Sequence, residues 1–178
     1  MMDKKSKRKS KIRNRRDMWM RYAALIVAAG SGERMGLGYN KLLYRLHSGN
    51  TVLEETLHIF LKDERCAQLV LVINEAERES ILGMYSDQRV VLVKGGSTRQ
   101  ESVYHGLQAV QEDKVLIHDG ARPWLSKECL DRIVAGVEQY PACLLGVALK
   151  DTIKQVDEQG FVVMTHQRDI LRQAQTPQ

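Results

Sequence analysis

An apolar run from Tyr22 to Ala29, followed directly by Gly30, constrains the fold of this chain more than any other feature. A continuous apolar segment of this length is typical of a parallel strand buried on both faces. Parallel strands need long crossover connections, which are usually helices. Further strands are predicted at 68–73, 90–93, 114–117 and 143–149, and helices at 52–61, 75–85, 99–111 and 126–139. This alternation predicts an α/β fold with a doubly wound, mostly parallel sheet.

Residues 151–168 interrupt the alternation with the pattern strand, turn, strand. The turn is predicted at 157–160, and the apolar segment 161–165 follows it. A two-stranded hairpin is marginally stable alone, so we expect it to pack on another surface, such as that of a partner subunit.

The basic charge of the chain is concentrated at its N-terminus. Residues 1–21 hold ten Lys and Arg and two Asp, whereas the remainder holds 17 basic and 20 acidic residues. A segment with so few apolar residues cannot bury a core, so 1–21 is predicted to be a disordered extension and 22–178 the folded domain. We interpret the extension as a solvated leader rather than a nucleic-acid contact, so nucleic acid is not an expected partner.

Composition argues against two further classes of protein. No run of 18 apolar residues occurs, so no membrane span is predicted, and the N-terminus lacks the apolar core of a secretory signal. The three scattered cysteines, Cys66, Cys129 and Cys143, predict reduced thiols in a cytoplasmic protein.

A glycine-rich loop follows the first predicted strand, at the edge of the sheet where α/β proteins bind ligands. It reads Ala-Ala-Gly-Ser-Gly-Glu-Arg-Met-Gly from Ala28, and Lys41 follows it. Small residues let backbone N–H groups approach phosphate oxygens, and Arg34 and Lys41 add two cations for a triphosphate. The spacing is neither that of the P-loop nor that of the dinucleotide-binding fingerprint. A glycine loop alone also fits an ordinary strand–helix turn.

Two more polar loops are predicted at the same edge. Gly95–Ser102 joins a strand to a helix and suits a base or ribose, with Ser102 in reach of the base edge, although a capped turn explains it equally well. Asp119 and Arg122 follow another strand and suit ribose, metal or phosphate contacts. We interpret the neighbouring His118 as a buried structural residue with satisfied hydrogen bonds.

Five motifs occur in order: AAGSGERMG with a following lysine, GGSTRQESV, HDGARP, KDTIK and AQTPQ. Together they resemble the 2-C-methyl-D-erythritol 4-phosphate cytidylyltransferase family of the non-mevalonate isoprenoid pathway, over residues 23–178. The resemblance implies a Rossmann-like nucleotidyltransferase fold and transfer of CMP from CTP to methylerythritol phosphate. It also implies a divalent cation, Mg²⁺, held mainly through the CTP phosphates without protein ligands, and a homodimer joined by the hairpin arm at 151–168.

The resemblance also assigns roles to individual residues. It implies that Arg34 and Lys41 stabilise the transition state. The nucleotide would contact Ala28, Ala29, Gly30, Gly96, Ser97, Ser102 and Asp119. The sugar phosphate would contact Arg122, Thr152, Arg168 and Thr176, with Thr152 and Arg168 reaching the site of the other subunit.

The chain departs from the family pattern at several positions. Asn40 and Ala148 stand where the family has proline, so the segment that holds Lys41 is expected to be less rigid. Ser97 stands where an acidic or other polar residue is often found. The family also continues past Gln178, so we expect a C-terminally truncated chain that lacks a closing helix and a substrate-binding lysine.

Three alternatives stay open at the level of sequence. The first is ribitol-5-phosphate cytidylyltransferase, which shares the fold and the CTP chemistry. The second is an inactive fragment whose basic tail binds nucleic acid. The third is a wider nucleoside-sugar pyrophosphorylase that prefers UTP or GTP.

Overall fold

A computed structural model of the protein describes residues 20–30, 40–84 and 86–178. Most of the predicted N-terminal extension and residues 31–39 of the glycine-rich loop therefore lie outside the described residues. The strands of the main sheet are β1 (Tyr22–Ala28), β2 (Cys66–Ile73), β3 (Val90–Lys94) and β4 (Val115–Asp119). The helices are α1 (Val52–Leu61), α2 (Arg78–Leu82), α3 (Arg99–Leu107) and α4 (Lys127–Gln139).

The main sheet is parallel and has the strand order β3-β2-β1-β4. Side chains alternate between its two faces, as the pleat of a strand requires. Ile26 and Leu71 pack in the core beneath α1 and α4, whereas Leu25 and Val72 belong to a second core on the opposite face. Helix α3 covers that opposite face through Gly106, where an added Cβ would lie 2.7 Å from Val72. The prediction of a doubly wound α/β sheet is confirmed.

Side-chain caps define where the longer helices begin. Thr51 caps α1 and forms a reciprocal capping box with Glu54. Thr98 caps α3 and Ser126 caps α4. Helix α3 is shorter than predicted and ends at Leu107. The segment predicted as one helix from 75 to 85 is a short 3-10 helix, Glu75–Glu77, followed by the five-residue α2.

The strand predicted at 143–149 is wrong in length and in partner. Only Gly146–Ala148 of this segment forms a strand, β5. It is exposed and pairs antiparallel with β8 (Arg172–Ala174), outside the main sheet. The edge of β4 is instead occupied by Gln178, which exchanges two backbone hydrogen bonds with Ile117, of 2.8 and 3.0 Å. The apolar segment 143–149 therefore does not pair with β4 in the parallel sheet, because the C-terminal segment lies at the edge of β4.

Residues 154–165 form a two-stranded antiparallel hairpin, with β6 (Lys154–Val156) paired to β7 (Val162–Thr165). The Asp157 carboxylate accepts hydrogen bonds from the backbone N–H groups of Gln159 and Phe161, and Gly160 supplies a φ of +87° in the turn. Apolar side chains of this hairpin are exposed in the single chain. Its use as a dimerisation arm stays a prediction.

A polar cluster ties the amino end of the sheet together. The Tyr22 hydroxyl donates to Asp63, and the Arg65 guanidinium donates to both Asp63 and Asp131. Burial opposes ionisation of Asp63, but hydrogen bonds from Arg65 and Tyr22 outweigh it and leave the pKa of Asp63 below its ordinary value. This cluster joins the first strand, the loop before β2 and helix α4.

In the part of the chain that the structure describes, no helix has both the length and the apolar character needed to cross a membrane.

Candidate active site

The carboxyl end of β1 lies between two glycines of neighbouring loops. An added Cβ on Gly95 would lie 2.3 Å from the Ala29 side chain, and one on Gly120 would lie 3.2 Å from that of Ala28. The N–H of Gly120 donates to the carbonyl of Val27 at 2.9 Å. Small residues at Ala28 and Ala29 therefore let the loops after β3 and β4 approach the end of β1 closely.

Lys41 begins a 3-10 helix, Lys41–Leu43, whose capping residue Asn40 is bonded to Glu77 in the segment that follows the carboxyl end of β2. Asn40 caps the helix, because its Oδ1 accepts a hydrogen bond from the Leu42 N–H at 3.0 Å. Its Nδ2 also donates to Glu77 at 2.9 Å, and the Asn40 side chain is buried. Two hydrogen bonds thus hold the residue before Lys41, and the reduced rigidity of this segment stays a prediction. Arg34 lies outside the described residues.

The loop at 95–98 is held by the first turn of α3. The Ser102 hydroxyl is buried and accepts a hydrogen bond from the N–H of Gly96 at 3.0 Å. Ser97 donates both its N–H and its hydroxyl to Glu101, at 2.7 and 2.6 Å. The hydrogen bonds from Ser97 hold the pKa of Glu101 below its ordinary value. The three residues predicted to contact the base and ribose therefore lie in this loop and in the first turn of α3, joined by hydrogen bonds.

Asp119 lies at the end of β4 between two arginines. Its Oδ1 accepts hydrogen bonds from Nε and Nη2 of Arg99, at 3.2 and 2.9 Å. Its Oδ2 accepts from Nε of Arg122 at 3.1 Å, and Nη1 of Arg122 donates to the Gln175 side chain at 2.5 Å. One carboxylate between two guanidinium groups leaves an excess of positive charge, which suits an anionic ligand.

Thr176 reaches the same place from the C-terminal segment. It is buried, and its hydroxyl oxygen lies 3.4 Å from the N–H of Asp119. The neighbouring His118 is fully buried against Phe60, and its Nε2 donates to the carbonyl of Arg122 at 3.0 Å. Its Nδ1 has no hydrogen-bond partner among the described residues. The prediction of satisfied hydrogen bonds therefore holds for Nε2 only. Burial lowers the pKa of His118, which keeps the ring neutral.

Comparison with known proteins identifies the family. The family model described as IspD, 2-C-methyl-D-erythritol 4-phosphate cytidylyltransferase, matches residues 22–178. This chain belongs to that family.

Curated relatives that bear the name of the cytidylyltransferase family are similar over most of the chain. The relative from Geobacillus kaustophilus is 45% identical over 164 residues, which is 89% of this chain and 71% of the relative. The relative from Bacillus mycoides is 43% identical over 162 residues, which is 88% of this chain and 71% of the relative.

Solved structures of cytidylyltransferase relatives share the fold. The 4-diphosphocytidyl-2C-methyl-D-erythritol synthase of Anaerococcus prevotii has a TM-score of 0.76 at 30% identity, covering 89% of this chain and 69% of that one. The cytidylyltransferase of Francisella tularensis has a TM-score of 0.71 at 31% identity, covering 88% of this chain and 70% of that one. These matches support the Rossmann-like nucleotidyltransferase fold.

Two residues that the cytidylyltransferase resemblance assigned to the substrate lie on the hairpin side. Thr152 is exposed just before β6, and Arg168 is exposed just after β7. Nη1 of Arg168 donates to the carbonyl of Lys150 at 2.8 Å, across the base of the hairpin. The structure therefore gathers the carboxyl end of β1, the loops that follow β3 and β4, and Thr176, and gives Thr152 and Arg168 a separate location in the single chain.

Three residues at this polar edge were not among the predicted site residues: Arg99, Glu101 and Gln175. Each lies inside or beside a predicted motif, and each contacts a predicted residue. Arg99 and Asp119 are 20 residues apart, so no local pattern pairs them. The signal that was available is their position, since both follow strands that end at the same edge of the sheet.

The candidate site offers few protein ligands for a divalent cation among the described residues. No group of three or more His, Cys, Asp or Glu side chains that could hold a metal occurs among residues 20–30, 40–84 and 86–178. Asp119 is a carboxylate at the edge, and both its oxygens are engaged by guanidinium groups. Mg²⁺ is commonly bound by few protein carboxylates together with substrate phosphates, so this donor set fits a Mg²⁺ ion carried on a triphosphate.

Proposed function

We propose that this chain transfers the cytidylyl group of CTP to 2-C-methyl-D-erythritol 4-phosphate and releases pyrophosphate. The observation that carries the proposal is the meeting, at one edge of the sheet, of the carboxyl end of β1 with the loops after β3 and β4 in a chain of this family. A phosphate oxygen of the sugar phosphate attacks the α-phosphorus of CTP, a new P–O bond forms, and the bond to the β-phosphate oxygen breaks. The attacking group is already an anion, so no base is required.

Positive charge is the main catalytic requirement of this reaction. Negative charge grows on the oxygens around the α-phosphorus and on the departing pyrophosphate, and fixed cations stabilise it. We assign this role to Arg34 and Lys41, and the binding of the phosphates to the backbone of Ala28, Ala29 and Gly30. Asn40 supports the assignment of Lys41, because its two hydrogen bonds order the start of the lysine-bearing helix.

Cytosine and ribose are assigned to the loop after β3. Gly96, Ser97 and Ser102 share its hydrogen-bond network, and Ser102 sits in the first turn of α3. Asp119 is assigned to the nucleotide side of the site. A Mg²⁺ ion bound to the triphosphate would neutralise part of its charge, and the protein residues would act around that complex.

The sugar phosphate is assigned to Arg122 and Thr176 from one chain and to Thr152 and Arg168 from the hairpin of a second. The hairpin supports this, because Phe161, Val162 and Met164 are more than half exposed in the single chain. Apolar side chains at this density favour burial against another surface. A homodimer is therefore part of the proposal, and a cytoplasmic location stays a prediction.

The proposal is tested by measuring pyrophosphate release with CTP and Mg²⁺ and either methylerythritol phosphate or ribitol 5-phosphate. Turnover with methylerythritol phosphate alone supports the proposal. Turnover with ribitol 5-phosphate alone would contradict the proposal and identify the chain as a ribitol-5-phosphate cytidylyltransferase. The names of the family model and of the relatives do not favour that alternative. UTP and GTP replace CTP in a parallel series, and a preference for either would reject CTP specificity.

The nucleic-acid alternative has a separate test. Deletion of 1–21 removes ten of the 27 Lys and Arg residues and with them the net positive charge of the chain. If the domain is an enzyme, CTP binding survives this deletion and is lost in Lys41→Ala. Salt-sensitive binding of DNA or RNA that disappears with the deletion, in a chain without turnover, would favour the binding module instead.

A further inference from the structure

We propose that Arg99 is a positioning residue of the cytidylyl-transfer site, which holds Asp119 so that Arg122 stays available for the sugar phosphate. The inference rests on the proposed function and adds a residue to it. Arg99 is the first residue of α3, directly after the loop assigned to the base, and Asp119 is the last residue of β4. The pair therefore joins the nucleotide loop to the sugar-phosphate side of the site.

The geometry divides the carboxylate of Asp119 between two arginines. Oδ1 is held by Nε and Nη2 of Arg99, and Oδ2 is held by Nε of Arg122 alone. Because Oδ1 is occupied, Arg122 contacts Asp119 through a single nitrogen. The fork of Arg122 is then left to point Nη1 at Gln175, at 2.5 Å.

Removal of Arg99 would change that division. A guanidinium and a carboxylate without other partners favour a bidentate pair with two parallel N–H···O hydrogen bonds. With Oδ1 free, Arg122 would turn onto both oxygens of Asp119 and leave Gln175. The cation assigned to the sugar phosphate would then be neutralised by its own neighbour.

The effect of Arg99 on stability distinguishes a positioning role from a purely structural one. Its side chain is 53% exposed and that of Asp119 is 28% exposed. Exposed ion pairs contribute little to stability, so loss of this one should leave the melting temperature within about 3 °C of the wild type. A large kinetic effect with a small thermal effect is therefore the signature of positioning.

The kinetic test compares Arg99→Met, Arg99→Lys and Arg99→Met combined with Asp119→Asn in the full chain. We expect Arg99→Met to raise KM for methylerythritol phosphate on the order of tenfold, with a smaller change in KM for CTP, since displacing a positioned group costs about this much or more. Arg99→Lys keeps the charge but not the fork, so it should recover part of the loss. In the double variant, Arg99→Met should add nothing to the effect of Asp119→Asn.

Arg21→Met is the matched control. Arg21 is 55% exposed and forms one ion pair with Glu112, at 3.5 Å, at the opposite end of the sheet. Its kinetic parameters should equal those of the wild type. Unchanged KM in Arg99→Met, or effects of Arg99→Met and Asp119→Asn that simply add, would overturn the inference.

A crystal structure of Arg99→Met provides a readout that needs no turnover. The inference expects both Asp119 oxygens on Arg122 and a broken contact between Arg122 and Gln175. If that contact persists and Oδ1 is solvated, the inference is wrong even in an active enzyme. If the wild type shows no turnover, the proposed function fails, whereas this structural outcome still decides the role of Arg99.

Discussion

Asp63 and Asp119 are both held by arginine, at opposite ends of the same parallel sheet, and they differ in burial. The side chains of Asp63 and Arg65 are 11% and 16% exposed, and Tyr22 completes the hydrogen bonding of that aspartate. The side chains of Asp119 and Arg122 are 28% and 48% exposed. The closed pair joins elements of the fold, whereas the open pair remains accessible to an anionic ligand. The same residue types therefore serve stability at the amino end and binding at the carboxyl end.

The largest effect that we expect at the carboxyl end is that of Lys41→Ala. Loss of one positioned cation should lower kcat by about 10²–10³-fold, because charge at the α-phosphorus is no longer stabilised. Pyrophosphate release and the melting temperature are measured together. Lys62→Ala, an exposed lysine after α1 at the amino end, is the control and should retain full activity. Equal losses in the two variants would contradict the division between the two ends.

The largest effect at the amino end is that of Asp63→Asn on stability. Arg65 would lose the charged partner that both its Nε and Nη2 contact, so the free energy of unfolding should fall by about 2–3 kcal/mol. Urea unfolding measures the change, and activity per folded molecule should be unaltered. Asp113→Asn, at an exposed position of the same end, should change stability by less than about 0.5 kcal/mol. A stability loss no larger than that of the control would remove the structural role of the closed cluster.

His118 gives the pH dependence of the carboxyl end. Burial lowers its pKa from an ordinary value of 6.5, so below that pH the unfolded chain takes up a proton that the folded chain does not. Stability is therefore fully present above the ordinary pKa of 6.5 and is lost as the pH falls below it. His118→Phe should flatten this part of the profile of unfolding free energy. His47→Phe, at an exposed position, is the control. If this control flattens the pH profile as much as His118→Phe does, the pH dependence does not come from His118.

A smaller effect is expected when the tether beside Lys41 is removed. Asn40→Ala loses a cap and the hydrogen bond to Glu77, so kcat should fall by roughly 5–10-fold, which corresponds to about 1 kcal/mol. Glu77→Gln should have a weaker effect of the same kind.

Asn74→Ala is matched to Asn40→Ala, because Asn74 also caps a 3-10 helix with its side chain but is exposed. It should leave kcat unchanged. If Asn40→Pro is as active as the wild type, a rigid backbone is sufficient at this position and the hydrogen bond to Glu77 is dispensable.

The parts of the fold that the sequence predicted correctly depend on local signals. Strand β1 is a continuous apolar run, and the apolar residues of helix α1 have helical spacing. The pairing partner of β5 depends on residues far along the sequence and was not predicted. Gln178 occupies the edge of β4, and Arg172–Ala174 pairs with β5. In the candidate site, Ser102 and Asp119 were predicted from motifs. The bond between Arg99 and Asp119 was not, since it forms only when two strands end at one edge.

The most direct test of the comparison measures Asp63→Asn and Asp119→Asn side by side, with turnover of CTP and methylerythritol phosphate and urea unfolding on the same preparations. A crossed result is expected: Asp119→Asn lowers turnover and keeps its unfolding free energy, whereas Asp63→Asn keeps turnover per folded molecule and has a lower unfolding free energy. If both variants lose the same property, the two ends of the sheet do not have separate roles and the central claim is wrong.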